Sequence, residues 1–271
     1  MELQELYRMI GLEAGTVEKL EEIDGIEQAG PYWEGMMETG TAAQAYTDLE
    51  RLLQPDPDCW KMLYCQLECA RRVFDRYQEK HIPEAVFAGT MKCFARFIGE
   101  CGKKNGRKFF DRGWWTYRQL SMNIFRLGEL EYQFQEYEGE KAIGLHIPSD
   151  ACLSAAAVDR SLEQAGTFFR TYYPDFKYRR YICRSWLLSP ALRSLLPEQS
   201  HIRDFQDRFS IVQEDWEDME YIEWLFQSPK GTGYQTLPAA TSLQRNGKAL
   251  LLAGGKIGSA LGIMAGLEDE L

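Results

Sequence analysis

Residues 128–147 read GELEYQFQEYEGEKAIGLHI, and the period of their apolar side chains decides the fold. Leu130, Tyr132 and Phe134 alternate with Glu131, Gln133 and Gln135, the two-residue period of a strand with one buried face. Glu138-Gly139-Glu140 is a tight turn, and Ile143, Leu145 and Ile147 repeat the alternation beyond it. The stretch predicts an antiparallel hairpin. What precedes it has a different period.

Upstream, Trp60, Leu63, Tyr64, Leu67, Phe74 and Tyr77 recur at helical spacing, as do Val86, Phe87, Met91, Phe94, Phe97 and Ile98. Pro55-Asp56-Pro57-Asp58 separates two helices, Ile82-Pro83-Glu84 opens another, and 102–107 is a basic turn. An aromatic-rich helix over 114–125 ends this half, so strands are expected only after Gly128. Residues 1–126 are expected to form an all-helical domain and 127–271 a second domain.

Downstream, Ser154 suits an N-cap, and Val158, Leu162, Ala165, Phe169 and Tyr172 form the buried stripe of a helix stopped by Pro174. Tyr178 to Leu188 reads as the next strand. Short helices to Leu196 and over 202–208, a strand near 209–212 and a helix over 217–227 follow. Thr241-Ser242-Leu243-Gln244 has capping-box form before the last helix. The fold class is therefore α+β (α/β), a helical half followed by a mixed sheet with helices.

Residues 249–267 are apolar apart from Lys256 and approach membrane-spanning length. Their glycines, the central lysine and the acidic end Glu268, Asp269 and Glu270 instead predict a helix end, then a strand or turn over 257–264. No membrane partner is expected.

Composition narrows the function classes. Hydrophobic residues at 45% and charged residues at 27% describe a globular chain, not a disordered one. The formal net charge of -10 argues against nucleic acid as partner. Seven scattered cysteines without a C-x-x-C pair, behind an N-terminus unlike a signal peptide, point to the cytoplasm. No metal site is expected, since His81, His146 and His201 lie at no zinc-ligand spacing from a cysteine pair.

The segments IPEAVFAGTMKCFARFI (82–98), RQLSMNIFRLGELEYQF (118–134), IGLHIPSDACLS (143–154), YICRSWLLSPALRSLLP (181–197), HIRDFQDRFSIV (201–212) and TSLQRNGKALLLAGG (241–255) together resemble a bacterial acyltransferase-domain family. That family joins a helical N-terminal region to a domain like the GCN5-related N-acetyltransferases (GNAT). The likeness covers roughly residues 60–265, through the order and spacing of the segments. It implies an acyltransferase that takes acetyl-CoA or another acyl-CoA as co-substrate, with no tightly bound cofactor. The acceptor, an amine in most such enzymes, and the oligomeric state stay open.

In that family two neighbouring parallel strands splay apart, pantetheine pairs with the first, and the pyrophosphate sits at the start of the helix between them. The resemblance makes Ile143, Leu145 and Ile147 the pantetheine strand. It makes Ser149, Ala151, Cys152 and Ser154 the phosphate turn, with Arg184 adding positive charge. Arg179, Arg180 and Arg184, with Arg203 and Arg208 further on, offer charge for phosphate or carboxylate; their other reading is solvation or pairing with the chain's many acids. The family's turn usually carries an Arg/Gln-x-x-Gly-x-Gly/Ala signature, whereas PSDACLS (148–154) has no glycine and places Asp150 beside the ligand.

Four residues are candidates for chemistry. His146, on the strand face opposite Ile143 and Leu145, has the ordinary pKa of a general base; its other reading is a hydrogen-bonded structural histidine. Cys183 and Ser185 are candidate nucleophile or hydroxyl donor, or else core residues. Tyr181 is a candidate general acid toward the leaving thiolate, although the family's tyrosine lies in the helix after the second strand, where Ala191–Leu196 has none. A non-catalytic GNAT-like module that binds a ligand or a protein is the alternative function.

Overall fold

The computed structural model describes residues 1–265, so the acidic end over 268–270 lies outside the described residues. Two compact units divide the chain, Met1–Arg126 and Leu127–Leu271.

The first unit is built from α1 (Leu3–Ile10), α2 (Ala14–Glu21), α3 (Gly30–Met36), α4 (Ala42–Leu52), α5 (Trp60–Glu79), α6 (Glu84–Met91), α7 (Cys93–Asn105) and α8 (Gly113–Leu120). The 20-residue α5 is its axis, with Leu63, Leu67, Val73 and Tyr77 fully buried. The acidic-proline segment before it does more than separate helices. The Asp56 carboxylate accepts from the amides of Lys61 (3.3 Å) and Met62 (3.0 Å), satisfying donors that α5 leaves unpaired. The expected basic turn over 102–107 is instead the last turn of α7, which stops at Gly106 in the left-handed conformation.

The helix expected over 114–125 is also shorter. Met122 takes a φ of +53°, and the amides of Met122 and Asn123 return to the carbonyls of Gln119 and Arg118. This closes α8 at Leu120 and frees Ile124–Leu127 to form β1, so strands begin four residues before Gly128 rather than after it.

The remaining strands and helices are β2 (Leu130–Tyr137), β3 (Glu140–His146), α9 (Ala155–Tyr172), β4 (Arg180–Ser185), α10 (Pro190–Leu195), α11 (His201–Gln206), β5 (Ser210–Asp215), α12 (Glu220–Trp224), α13 (Ser242–Leu252) and β6 (Ser259–Ala265). The sheet order is β1-β2-β3-β4-β6-β5. β2 and β3 form the expected hairpin, turned by Glu138 and Gly139, both at positive φ as a two-residue turn requires. β3 and β4 are parallel, joined through α9, and β6 runs antiparallel to both β4 and β5. The glycine-rich end is thus a strand inside the sheet, and no helix among the described residues is long and apolar enough to cross a membrane.

Three boundaries differ from the sequence reading for local reasons. β4 ends at Ser185, whose hydroxyl accepts from the Leu187 amide and turns Trp186–Leu188 into a 3-10 helix. β5 continues through Gln213 and Glu214 to Asp215, with a bulge between Ile211 and Gln213. α12 starts late because Asp215 and Asp218 accept from the amides of Glu217, Asp218 and Glu220 in successive turns. The capping box at Thr241 and Gln244 forms as read.

One face of the sheet packs on α9. Phe134, Phe169, Tyr173, Phe176 and Tyr178 meet there edge to face. At the centre the buried Ser161 hydroxyl donates to the Leu127 carbonyl (2.5 Å), accepts from the Leu130 amide (3.2 Å) and lies 2.9 Å from the Tyr132 hydroxyl. The approach is close: a Cβ on Gly128, at φ +65°, would stand 3.2 Å from Ser161. Ser161→Ala is expected to lower unfolding free energy by about 1–3 kcal/mol, because it strands buried backbone groups, with urea denaturation as the measurement.

Candidate active site

The parallel ladder between β3 and β4 is short. Only Ile143↔Tyr181 and Gly144↔Ile182 are paired, although both strands run on, to His146 and to Ser185. On their outer sides the pairing continues, to Glu131↔His146 in β2 and to Ser185↔Ala260 in β6. Beyond these pairs Leu145 and His146 face Cys183 and Arg184 without ladder pairing, a wedge in which Leu145 and Cys183 are buried and Arg184 is exposed.

Register places the candidate residues on two faces. His146 lies two residues beyond Gly144, and Arg184 two beyond its partner Ile182, so both belong to the same face, across the wedge. Tyr181, Cys183 and Ser185 lie on the other face, with Ile143 and Leu145. His146 and these three therefore do not converge.

The environment of the three fits packing. Tyr181 is fully buried, with its hydroxyl 2.9 Å from that of Tyr178; burial and the neighbouring Tyr178 push the phenol far above its ordinary value. Burial raises the Cys183 thiol to about 12, which leaves almost no thiolate at neutral pH. Ser185 spends its oxygen on the Leu187 amide. The helix after β4 contains no tyrosine.

His146 stands in a polar group that the alternating pattern hid. Its Nε2 is 2.9 Å from Gln133 Oε1, and the same oxygen accepts from Gln135 Nε2 at 2.9 Å. Gln133 and Glu131 are buried, so the polar side of β2 is not a solvent face. Arg184 is exposed and donates to Gln213 Oε1 at 2.9 Å. Ile147 lies just past the end of β3 and is half-buried.

The turn over 148–156 is partly occupied by the protein's own groups. The Ala151 amide donates to the Pro148 carbonyl at 3.0 Å, and the Cys152 amide to the Glu129 carboxylate at 2.8 Å. Nothing in the sequence marks Glu129 for this task. Ser149 and Asp150 are exposed. Ser154 stands at the N-cap position, but its side chain does not cap α9; its hydroxyl is 3.3 Å from Cys152 Sγ. Among the described residues the amides of Ala155 and Ala156 have no acceptor, and both residues are exposed. Arg208 reaches this first turn, paired with Asp159 at 2.6 Å and 3.4 Å from the Ala155 carbonyl. Of the sequence's candidate cations beyond the strand, Arg208 is the one placed at the helix start. No cluster of metal-binding side chains occurs among the described residues.

The hydrogen bond from Ser154 and the local backbone lower the Cys152 thiol from its ordinary value, and the residue is exposed. A lower value means more thiolate at neutral pH. Iodoacetamide is therefore expected to modify Cys152 ahead of the other six cysteines in the native protein, and Ser154→Ala to slow it, as peptide mass spectrometry would show.

Comparison with known proteins agrees with this architecture. Residues 1–122 match the N-acyltransferase N-terminal domain, and residues 124–264 match the GNAT-like C-terminal domain. No curated protein matches the sequence. A solved acyltransferase in complex with decanoyl-CoA and teicoplanin aligns at TM-score 0.84 and 21% identity, covering 98% of this chain and 88% of that one. One in complex with decanoyl-CoA aligns at TM-score 0.80 and 22% identity, over 96% and 86%. Another, in complex with CoA and 10C-teicoplanin, aligns at TM-score 0.72 and 22% identity, over 98% and 100%. At such identities the likeness is one of fold. The family match spans more than half of the 271 residues, and the chain belongs to the family defined by the GNAT-like C-terminal domain, here preceded by an N-acyltransferase N-terminal domain.

Proposed function

We propose that this protein transfers the acyl group of an acyl-CoA to an amine acceptor, with residues 1–126 and 127–271 as its two domains. The end of the β3–β4 ladder carries the reading, because beyond it the facing strand edges are not paired with each other, and an acyl-pantetheine chain would take up that pairing. The similar acyltransferases hold decanoyl-CoA and CoA, which makes a medium-chain acyl-CoA the first donor to try. Pantetheine would run along Leu145 and Ile147 opposite Cys183 and Arg184. The pyrophosphate would sit at the amides of Ala155 and Ala156 beside Arg208, a narrower site than residues 149–156, since two amides of that turn are already used.

In the transfer the amine nitrogen attacks the thioester carbonyl and a C–N bond forms. The imidazole of His146 takes the amine proton, the C–S bond breaks, and the proton passes to the departing thiolate of CoA. Most of the rate comes from holding amine and thioester together. Free thiols at all seven cysteines fit a reducing compartment, and we place the protein in the cytoplasm.

The Glu129 cap on the Cys152 amide is what favours the alternative, a GNAT-like module that binds a ligand or a protein without catalysis. The two readings part in a thermal-shift series with CoA, acetyl-CoA and decanoyl-CoA, where a donor must raise the melting temperature. No shift with any of them leaves the binding-module reading. Ala155→Asp is expected to weaken CoA binding more than about tenfold by repelling phosphate. The same acid at a helix start should stabilise the free protein by about 0.3–1 kcal/mol. His146→Gln is expected to lower turnover about a hundredfold, with stability changed by less than about 1 kcal/mol.

A further inference from the structure

Strand β5 ends the sheet and has β6 on one side only. Among the described residues nothing pairs with the backbone of its outer edge. Ser210 to Glu214 are all exposed, the apolar Ile211 and Val212 among them. Trp216 and Met219 follow on the turn after the strand and are exposed too. Six large apolar residues are exposed among the described residues, and four of them lie between 211 and 219. Such clustering on an open edge marks an interaction surface. The turn that carries the indole is fixed. Asp215 accepts from the amides of Glu217 (3.1 Å) and Asp218 (3.2 Å), and Glu217 pairs with Lys256. Gly258 passes so close that a Cβ there would stand 2.9 Å from the Trp216 Cα. An exposed aromatic on a fixed turn loses little freedom when it is covered.

Charge selects the partner. From Glu214 to Glu220 the chain carries five acids and no base. We infer that β5 is a docking edge for a basic, extended peptide segment of another protein. The segment adds as a further strand, sets apolar side chains against Ile211, Val212 and Trp216, and brings lysines or arginines to the acids after the strand. The bulge at Val212 and the acids guard this edge against strands of the wrong kind, as edges in water require, and leave it open to a cationic one. A second copy of this chain brings the same acids and its own net charge of -10. The chain's own end at Glu268, Asp269 and Glu270 is acidic as well.

The probe is a short fluorescein-labelled peptide in which lysine alternates with valine. Its control has the same charge and length, with every valine replaced by proline, which cannot pair as a strand. Fluorescence anisotropy with the full chain at physiological salt is expected to give a Kd of roughly 100 μM or below for the first peptide. The control should bind at least about tenfold more weakly. Amide hydrogen exchange over 210–215 should slow when the first peptide is added, and not with the control. Val212→Lys and Trp216→Ala are each expected to weaken binding about tenfold, with the melting temperature of Val212→Lys unchanged because that side chain stands in solvent. If Trp216→Ala does not fold, Val212→Lys and the exchange data decide the matter. No binding of the first peptide overturns the inference. Equal binding of both peptides shows attraction by charge alone and overturns it too. A dimer mass in light scattering that Val212→Lys reduces to a monomer gives the edge to a second copy and has the same consequence.

Discussion

Two paired residues are all that join the parallel strands β3 and β4, and the use of the sheet follows from that shortage. A strand end that frays on both sides would be mobile. Here each strand keeps its outer ladder, β3 with β2 as far as His146 and β4 with β6 as far as Ser185. The gap is therefore a fixed wedge in a continuous sheet. Backbone donors and acceptors along such a wedge need partners, and a linear ligand with amides of its own suits them. That is the physical basis of the acyl-CoA reading, apart from any family.

The connection between the two strands turns the wedge into a site. α9 leaves from the end of β3 and returns to the start of β4, so its first turn lies at the end of the sheet where the wedge opens. The helix is held by Ser161 on the backbone of Leu127 and Leu130 and by the aromatic cluster around Phe134. Its own amides at Ala155 and Ala156 stay unpaired among the described residues. Glycine in such a turn admits phosphate to the backbone. This chain instead fixes the turn with Glu129 and places alanines at the helix start, which leaves two exposed amides with Arg208 beside them.

Much of this was legible in the chain itself. Alternation over 130–135 and 143–147 located the hairpin, and the change of period separated helices from sheet. Boundaries failed where side chains or backbone turns override periodicity, as at Met122, Ser185 and Asp215. The site was legible only by position. His146 and Arg184 stand out by residue type and strand parity. Glu129 looks like an ordinary turn residue and Gln133 and Gln135 like ordinary polar positions of a half-buried strand, because their partners lie 23, 13 and 2 residues away and no spacing rule links them.

The distribution of polarity across the sheet is the last step. An alternating strand is usually read as apolar toward the core and polar toward water. In β2 that reading fails, since Glu131 and Gln133 are buried on the side opposite Tyr132 and Phe134. Burying a carboxamide without a partner costs about 1–3 kcal/mol, so a buried polar row persists only where its members satisfy one another. The Gln135–Gln133–His146 chain meets that condition, and Gly144 leaves the room for it, since a Cβ there would push the Gln135 amide from this position. The opposite face holds Tyr181 and Cys183, whose burial raises their proton affinity and ties them to packing. A sheet that packs through one face and keeps a connected polar row on the other has separated stability from chemistry. The histidine at the end of that row, beside the wedge, is the group to which the proposed transfer assigns the amine proton.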